Sequence, residues 1–228
     1  DAAGVHPLLL AIGSERYTPF MPTKIPQELL TIANHILGTG QMSLAKYVCI
    51  VEKENAPDVN NEKEFFHFLL ERVNWQRDMH FYTNTTIDTL DYSGDNLNQG
   101  SKLVIAAVGD IKRKLAKKVP KMILPKGFSN PKMVHDGNLI IEGYGDIKDL
   151  ISLLENQDLS GIGLITLVDD SDFVIRCFSN WLWVTFTRSN PANDIYGLNA
   201  IIQNKHFSCS IPIIDARIKS HHAPILER

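Results

Sequence analysis

At 228 residues, with 44% apolar and 21% charged side chains, the chain has the makeup of an ordinary globular protein that buries a sizeable core. A formal charge of −3 gives no electrostatic footprint for nucleic acid, and no apolar run approaches the ~20 residues of a membrane helix. "HPLLLAI" lacks the basic flank of a signal peptide, and Cys49, Cys177 and Cys209 sit far apart in apolar surroundings, so reduced, buried thiols and a cytoplasmic location are expected.

The first half alternates strands and helices. "PLLLAIG" (Pro7 to Gly13) is a short continuous apolar run, as in a strand buried on both faces. In "PQELLTIANHILG" Pro26 takes a first helical position and Gly38 follows the last, while Leu29, Leu30, Ala33, Ile36 and Leu37 fall on one helical face. "GTGQMS" lacks both the dinucleotide fingerprint and the P-loop lysine and reads as a helix stop. "KYVCIVEK" (Lys46 to Lys53) is a strand, and "NEKEFFHFLLERV" a helix capped by Asn60 or Asn61. "MHFYT" and "SKLVIAAVG" are two further strands. The single basic run, "DIKRKLAKKVPK", reads as a solvated helix face because neighbouring acids cancel its charge.

The second half follows the same plan. "NLIIEGY" (Asn138 to Tyr144) is a strand, "DIKDLISLLE" a helix capped by Asp146, and "GLITLVDD" a strand. "FSNWLWVTFTR" is a helix, followed by "DIYGL" and "IPIIDARI" as strands. Aligned, "YVCIVEKEN" falls on "LITLVDDSD", and Arg72, Asn74 and Asp78 fall on Arg188, Asn190 and Asp194. The expected fold is therefore α/β, an internally duplicated strand-helix-strand-helix-strand-strand unit with mixed sheets covered by helices. Residues 1–130 form the first repeat with its basic connector, and 131–228 the second with a C-terminal tail.

A pattern present twice is more economically structural than catalytic. Arg188 and Asp194 are accordingly expected to pair at the end of the Trp181 to Thr187 helix, with Pro191 stopping it. Trp181 and Trp183 lie two apart and cannot share a face, so one belongs to the core and the other covers a neighbouring element. In "VDDSD", Asp169, Asp170 and Asp172 suit helix capping better than magnesium. His221 and His222, with His206 as a third histidine, lack zinc-site spacing, and adjacent residues of an extended tail point apart; a docking tail is the better reading.

"TNTTIDTLDYSG…GSKLVIAA", "LVDDSDF", "WVTFTRSNPANDIYG" and "DARIKSHHAPILE" together resemble the C-terminal region of UbiD-family decarboxylases, the 3-octaprenyl-4-hydroxybenzoate carboxy-lyase type. The first repeat keeps "IDTLD" (Ile87 to Asp91) and "GSK" (Gly100 to Lys102); the second keeps "VDD" (Val168 to Asp170) and "TRSNPAND" (Thr187 to Asp194). The resemblance implies a protein that removes carbon dioxide from an aromatic or α,β-unsaturated acid such as a polyprenyl-4-hydroxybenzoate. It implies prenylated FMN and a divalent metal held by an N-terminal flavin-binding domain, a flavin prenyltransferase as cofactor supplier, and a homo-oligomer.

No acidic or flavin-holding segment of that N-terminal kind is found, and the sequence opens at Asp1. The chain is therefore expected to be the C-terminal domain, with no catalytic residue, no metal site and no bound cofactor of its own. The alternatives are a stand-alone interaction or oligomerisation domain, and a nucleotide-binding module. Residues proposed near the cofactor or substrate are Arg16 and Tyr17, which follow the first strand where α/β crevices lie, and Lys102. Arg16 reads either as an anion contact or as a surface salt bridge, and Lys102 either as an anion contact at a strand start or as a snorkelling edge lysine.

Overall fold

The computed structural model describes residues 7–16, 22–94 and 96–222. The first unit comprises β1 (Leu8–Gly13), α1 (Gln27–Leu37), β2 (Tyr47–Glu52), α2 (Glu62–Arg72), β3 (Met79–Thr86) and β4 (Gln99–Ala107). Its sheet has the order β1-β2-β4-β3, with β1, β2 and β4 parallel and β3 antiparallel. All six residues of β2 are buried, which is why "YVCIVE" reads apolar without alternation. β1 lies at the sheet edge and is only half buried, so its apolar run overstates its burial.

The second unit comprises β5 (Phe128–His135), β6 (Asn138–Gly143), α3 (Ile147–Leu154), β7 (Leu164–Val168), α4 (Ser171–Ile175), α5 (Phe178–Arg188) and α6 (Pro191–Asp194). It continues through β8 (Ile195–Leu198), the hairpin β9 (Ile201–Gln203) and β10 (His206–Ser208), and β11 (Ile211–Asp215). Its sheet has the order β5-β6-β7-β11-β8, mixed like the first.

Within this larger sheet, β6-β7-β11-β8 has the order and directions of β1-β2-β4-β3. Leu9, Val48 and Val104 stand side by side in one sheet, and Leu139, Ile165 and Ile213 in the other. Met79 opposes Ile105 as Ile195 opposes Ile214. The second unit adds β5, α4 and the hairpin.

Local chemistry sets the helix ends. Asn61 accepts a bond from the Glu64 N–H at 3.3 Å, Asp146 from Lys148 at 2.9 Å and Asp170 from Phe173 at 2.9 Å. Pro26 has no side-chain acceptor to offer, and Glu15 Oε1 instead accepts from Leu29 N at 2.9 Å. Pro191 opens the short turn α6 rather than merely ending α5, and the Asn190 before it is extended (φ −100°, ψ 113°) as proline requires.

The basic segment is not a helix. Residues 111–116 carry no regular structure: Gly109 turns the chain at φ +76°, and the Arg113 guanidinium bonds the Leu70 and Val73 carbonyls at the end of α2. Ala116 accepts from Gly137 and donates to Gly161, so the segment is stitched between the units. These main-chain groups find partners outside any helix, and tertiary bonds override the local charge pattern.

The largest core cluster is shared by both sheets, and each unit has a further cluster of its own. Phe66 of α2 meets Trp181 of α5 edge-on at 4.9 Å, and Trp181 meets Phe186 at 5.5 Å. Trp181 is fully buried while Trp183 is 46% exposed, as their spacing on one helix dictates. Cys49 and Cys209 are buried, and burial pushes both thiols up to about 12; Cys177 is exposed, because it precedes α5 on its solvent side.

Candidate functional site

The carboxyl end of the first sheet carries Arg16, Lys24, Glu52, Glu54 and Arg77. The Arg16 side chain is exposed there, and its backbone N–H bonds a Glu28 carboxylate in the first turn of α1. Tyr17 lies outside the described residues. The Lys24 ammonium bridges Glu52 at 2.7 Å and Glu54 at 2.8 Å, and the bond to Glu52, followed by that to Glu54, holds its pKa above the usual lysine range. Glu52 Oε2 accepts from the Gly109 N–H at 3.2 Å. Arg77 pairs with buried Asp78 and reaches the Lys24 carbonyl at 3.3 Å. These groups clasp the strand ends to one another.

Lys102 is at the opposite end of the sheet and is not a snorkelling edge lysine. It lies near the start of β4, an interior strand, and is buried; its ammonium donates to the carbonyls of Ser43 and, at 3.2 Å, Ala45. Burial pushes its pKa down. Its ammonium is held by two carbonyls just before β2, at the end of the sheet away from Arg16, so the two residues share no site.

The expected pair of Arg188 and Asp194 is not formed. Arg188 Nη1 reaches Asp169 Oδ2 at 3.2 Å, and that oxygen also accepts from Ile218 N at 2.9 Å. Asp194 Oδ2 accepts from the Asn190 N–H at 2.6 Å, while Oδ1 lies 3.4 Å from Lys219 Nζ. The extended Asn190 and the turn at Pro191 carry Asp194 back under the chain, away from the helix end where Arg188 points. Burial pushes the Asp194 carboxyl up, opposed by Lys219 and the Asn190 N–H. The first unit repeats the motif: Asp78 Oδ2 accepts from the Asn74 N–H at 2.8 Å.

Sequence reading passed over a fully buried cation. Lys46 is fully buried; its ammonium lies 2.7 Å from Asp91 Oδ2 and donates to Ser93 Oγ at 2.7 Å. Burial pushes this lysine down, with Asp91 opposing. Asp91 also accepts from the Ser93 N–H at 2.9 Å, so the last acid of "IDTLD" anchors a loop. Lysine at the edge of an apolar strand gives no sequence signal of this kind.

The histidines divide. His221 and His222 do not point apart: a turn at Lys219 sets their rings edge to face at 4.8 Å, with His222 also against Tyr92. His206 instead faces His80, with ring centroids 5.6 Å apart. Among the described residues no group of three or more His, Cys, Asp or Glu could hold a metal ion. A groove of about 270 Å³ at the ends of β6 and β7 is lined by Glu142 and Asp169, an acidic wall that does not suit a flavin phosphate. Neither this acidic groove nor any described side-chain cluster fits the phosphate or the metal of prenylated FMN chemistry. No described helix is long and apolar enough to cross a membrane.

The geometry thus defines an α/β domain whose shifted titratable groups are mostly engaged in its own packing. Residues 1–107 match the family model described as the 3-octaprenyl-4-hydroxybenzoate carboxy-lyase C-terminal domain. That match takes in the first unit, through Ala107 at the end of β4.

The chain is 32% identical over 234 residues to a protein of Chlamydia pneumoniae named as one subunit of a 4-hydroxybenzoate decarboxylase, covering 99% of this chain and 37% of that protein. It is 34% identical over 212 residues to an uncharacterized protein of Chlamydia trachomatis, covering 93% of this chain and 35% of that one. The chain therefore spans little more than a third of the length of these relatives. Vanillic acid decarboxylase of Sedimentibacter hydroxybenzoicus in its closed form is 21% identical with a TM-score of 0.34, covering 43% of this chain and 21% of that one. That likeness is too slight to argue from.

Proposed function

We propose that the chain is the packing and pocket-completing C-terminal part of a UbiD-type decarboxylase. The whole protein would release carbon dioxide from an aromatic or α,β-unsaturated acid. Prenylated FMN and the divalent metal belong to its N-terminal flavin-binding part, with a flavin prenyltransferase supplying the cofactor. The observation that carries this reading is the match of residues 1–107 to the family's C-terminal domain. Its motif residues agree with a supporting role: Asp91 holds Lys46, Ser101 binds Asn190, and Lys102 binds two carbonyls. A cofactor carries the hard chemistry, and a domain without its holding residues contributes shape.

The test compares the purified chain with a longer protein that contains it, each supplied with prenylated FMN and 4-hydroxybenzoate labelled at the carboxyl carbon. The chain alone should neither hold the flavin through gel filtration nor release label, while the longer protein should do both. Label released by the chain alone overturns the reading, as does a longer protein inert on a panel of aromatic and unsaturated acids.

A second reading, an assembly domain, has one observation in its favour. Ile201 and Ile202 of the β9–β10 hairpin are exposed beside an apolar groove of about 240 Å³ lined by Phe81 and Phe207.

A further inference from the structure

We propose that Leu8–Ala107 and Asn138–Asp215 are two copies of one unit, paired in the manner of an isologous dimer within a single chain. Each would then occupy on the other the surface that a second copy of the chain would otherwise take. Three observations combine here: matched strand register, matched hydrogen bonds, and reciprocal contacts between the units.

The register correspondence equates Val48 with Ile165, Met79 with Ile195, and Val104 with Ile213. Bonds that the sheets themselves do not require fall at equivalent places. Glu52 accepts from the Gly109 N–H, as Asp169 accepts from Ile218. Asp78 accepts from the Asn74 N–H, as Asp194 accepts from Asn190. α2 and α5 have the same length, eleven residues, and start at equivalent positions.

The contacts between the units exchange roles. The Asn190 turn sits on the start of β4: Ser101 N donates to Asn190 Oδ1 at 3.0 Å, and Ala192 N donates to Ser101 Oγ at 2.7 Å. The Asn74 turn sits on the approach to β11, where Cys209 N donates to the Trp75 carbonyl at 3.3 Å. By the same registers Ser101 corresponds to Ser210 and Asn74 to Asn190, so each turn meets the equivalent strand start of the other unit. Likewise Tyr47, at the start of β2, bonds Ser189 at 2.6 Å, and Gly163, just before β7, accepts from Trp75 Nε1 at 2.7 Å.

Exchange of equivalent surfaces defines an isologous interface, and here it holds turn for strand start, with a shift of one or two residues, rather than residue for residue. Between the two zones, α2 and α5 meet through Phe66 and Trp181. The two patches being already filled, a homo-oligomer of this protein would have to use another face.

The test uses the folded chain with a protease site inserted between exposed Lys117 and Lys118. After cutting, the halves should co-elute at the mass of one chain, because the interface and not the connector holds them. Halves that part in native buffer overturn the proposal. Asn190→Ala deletes the bonds that Asn190 Oδ1 accepts from Ser101 N and Oγ, Trp75→Phe deletes the bond to the Gly163 carbonyl, and each should lower the urea concentration at which the cut halves separate. If only one of them does, the reciprocity fails.

Light scattering of the uncut chain tests closure. A single-chain mass supports it, as does a dimer unaffected by Asn190→Ala. A dimer that Asn190→Ala dissolves overturns it. Should the inserted site prevent folding, the two substitutions in the uncut chain give the same comparison by unfolding midpoint.

Discussion

His135, the last residue of β5, makes acid stability a direct readout of the shared core. Its ring packs against Phe178 at 5.4 Å and Trp181 at 5.7 Å, and its Nε2 lies 3.4 Å from Asn138 Nδ2. Burial lowers its pKa to about 4, with the neighbouring His67 and Lys63 adding to the effect. In the unfolded chain it titrates near 6.5. Between these values the unfolded state binds the proton and the folded state refuses it, so stability falls as pH falls from about 6.5 to about 4. Below about 4 both states are protonated and this contribution levels off.

At about 1.4 kcal/mol per pKa unit the whole effect is about 3 kcal/mol. The assay is urea unfolding followed by tryptophan fluorescence at a series of pH values, for the parent and for His135→Gln. The parent should lose about 3 kcal/mol more than the variant between pH 7 and pH 4. His222, also lowered to about 4, is present in both proteins and cancels from the comparison. Parallel pH profiles, or a His135 proton resonance titrating near 6.5, would refute the reasoning.

Two further outcomes follow from the ion pairs. Asp91→Asn leaves the Lys46 ammonium buried without its counter-charge and should cost about 3–5 kcal/mol, while Lys46→Met with Asp91→Leu should cost less than Asp91→Asn alone, both read from urea midpoints. Arg188→Ala breaks a partly exposed pair and should cost less than about 1 kcal/mol, whereas Asp194→Ala, which orphans the buried Asn190 N–H, should cost about 1–3 kcal/mol in the same assay.

Much of the fold was legible because its signals are local. The caps at Asn61 and Asp146 need only a short polar side chain ahead of a helix, and the expected helices begin there, while Asp170 caps the short α4, which was not expected. The alternation of strands and helices announced α/β architecture, and the mixed sheets followed from short links before the last strands. Partners across the chain were not legible. Arg188 has acids on either side in sequence, and only the extended Asn190 decides that it meets Asp169. Lys102 looked like an edge residue because strand order is not written in β4 itself. The basic connector looked helical because its carbonyl partners belong to α2, forty residues earlier.

Among the residues that carry the resemblance, Ser101 and Asn190 join the two units, while Gly100 and Asp91 pack within the first. Gly100 approaches Ile87 so closely that an added Cβ would stand 2.7 Å from its Cδ1, which explains a glycine where the "GSK" strand opens against "IDTLD". The next residue, Ser101, grips the Asn190 turn, and Asp91 neutralises Lys46 beneath the same loop. A contact that lies where two units meet is constrained by packing on both sides at once. For this chain, resemblance to a decarboxylase is thus carried by architectural residues. Within the described residues, Ser101, Asn190, Asp91 and Lys102 are each engaged by hydrogen bonds or ion pairs of the chain itself.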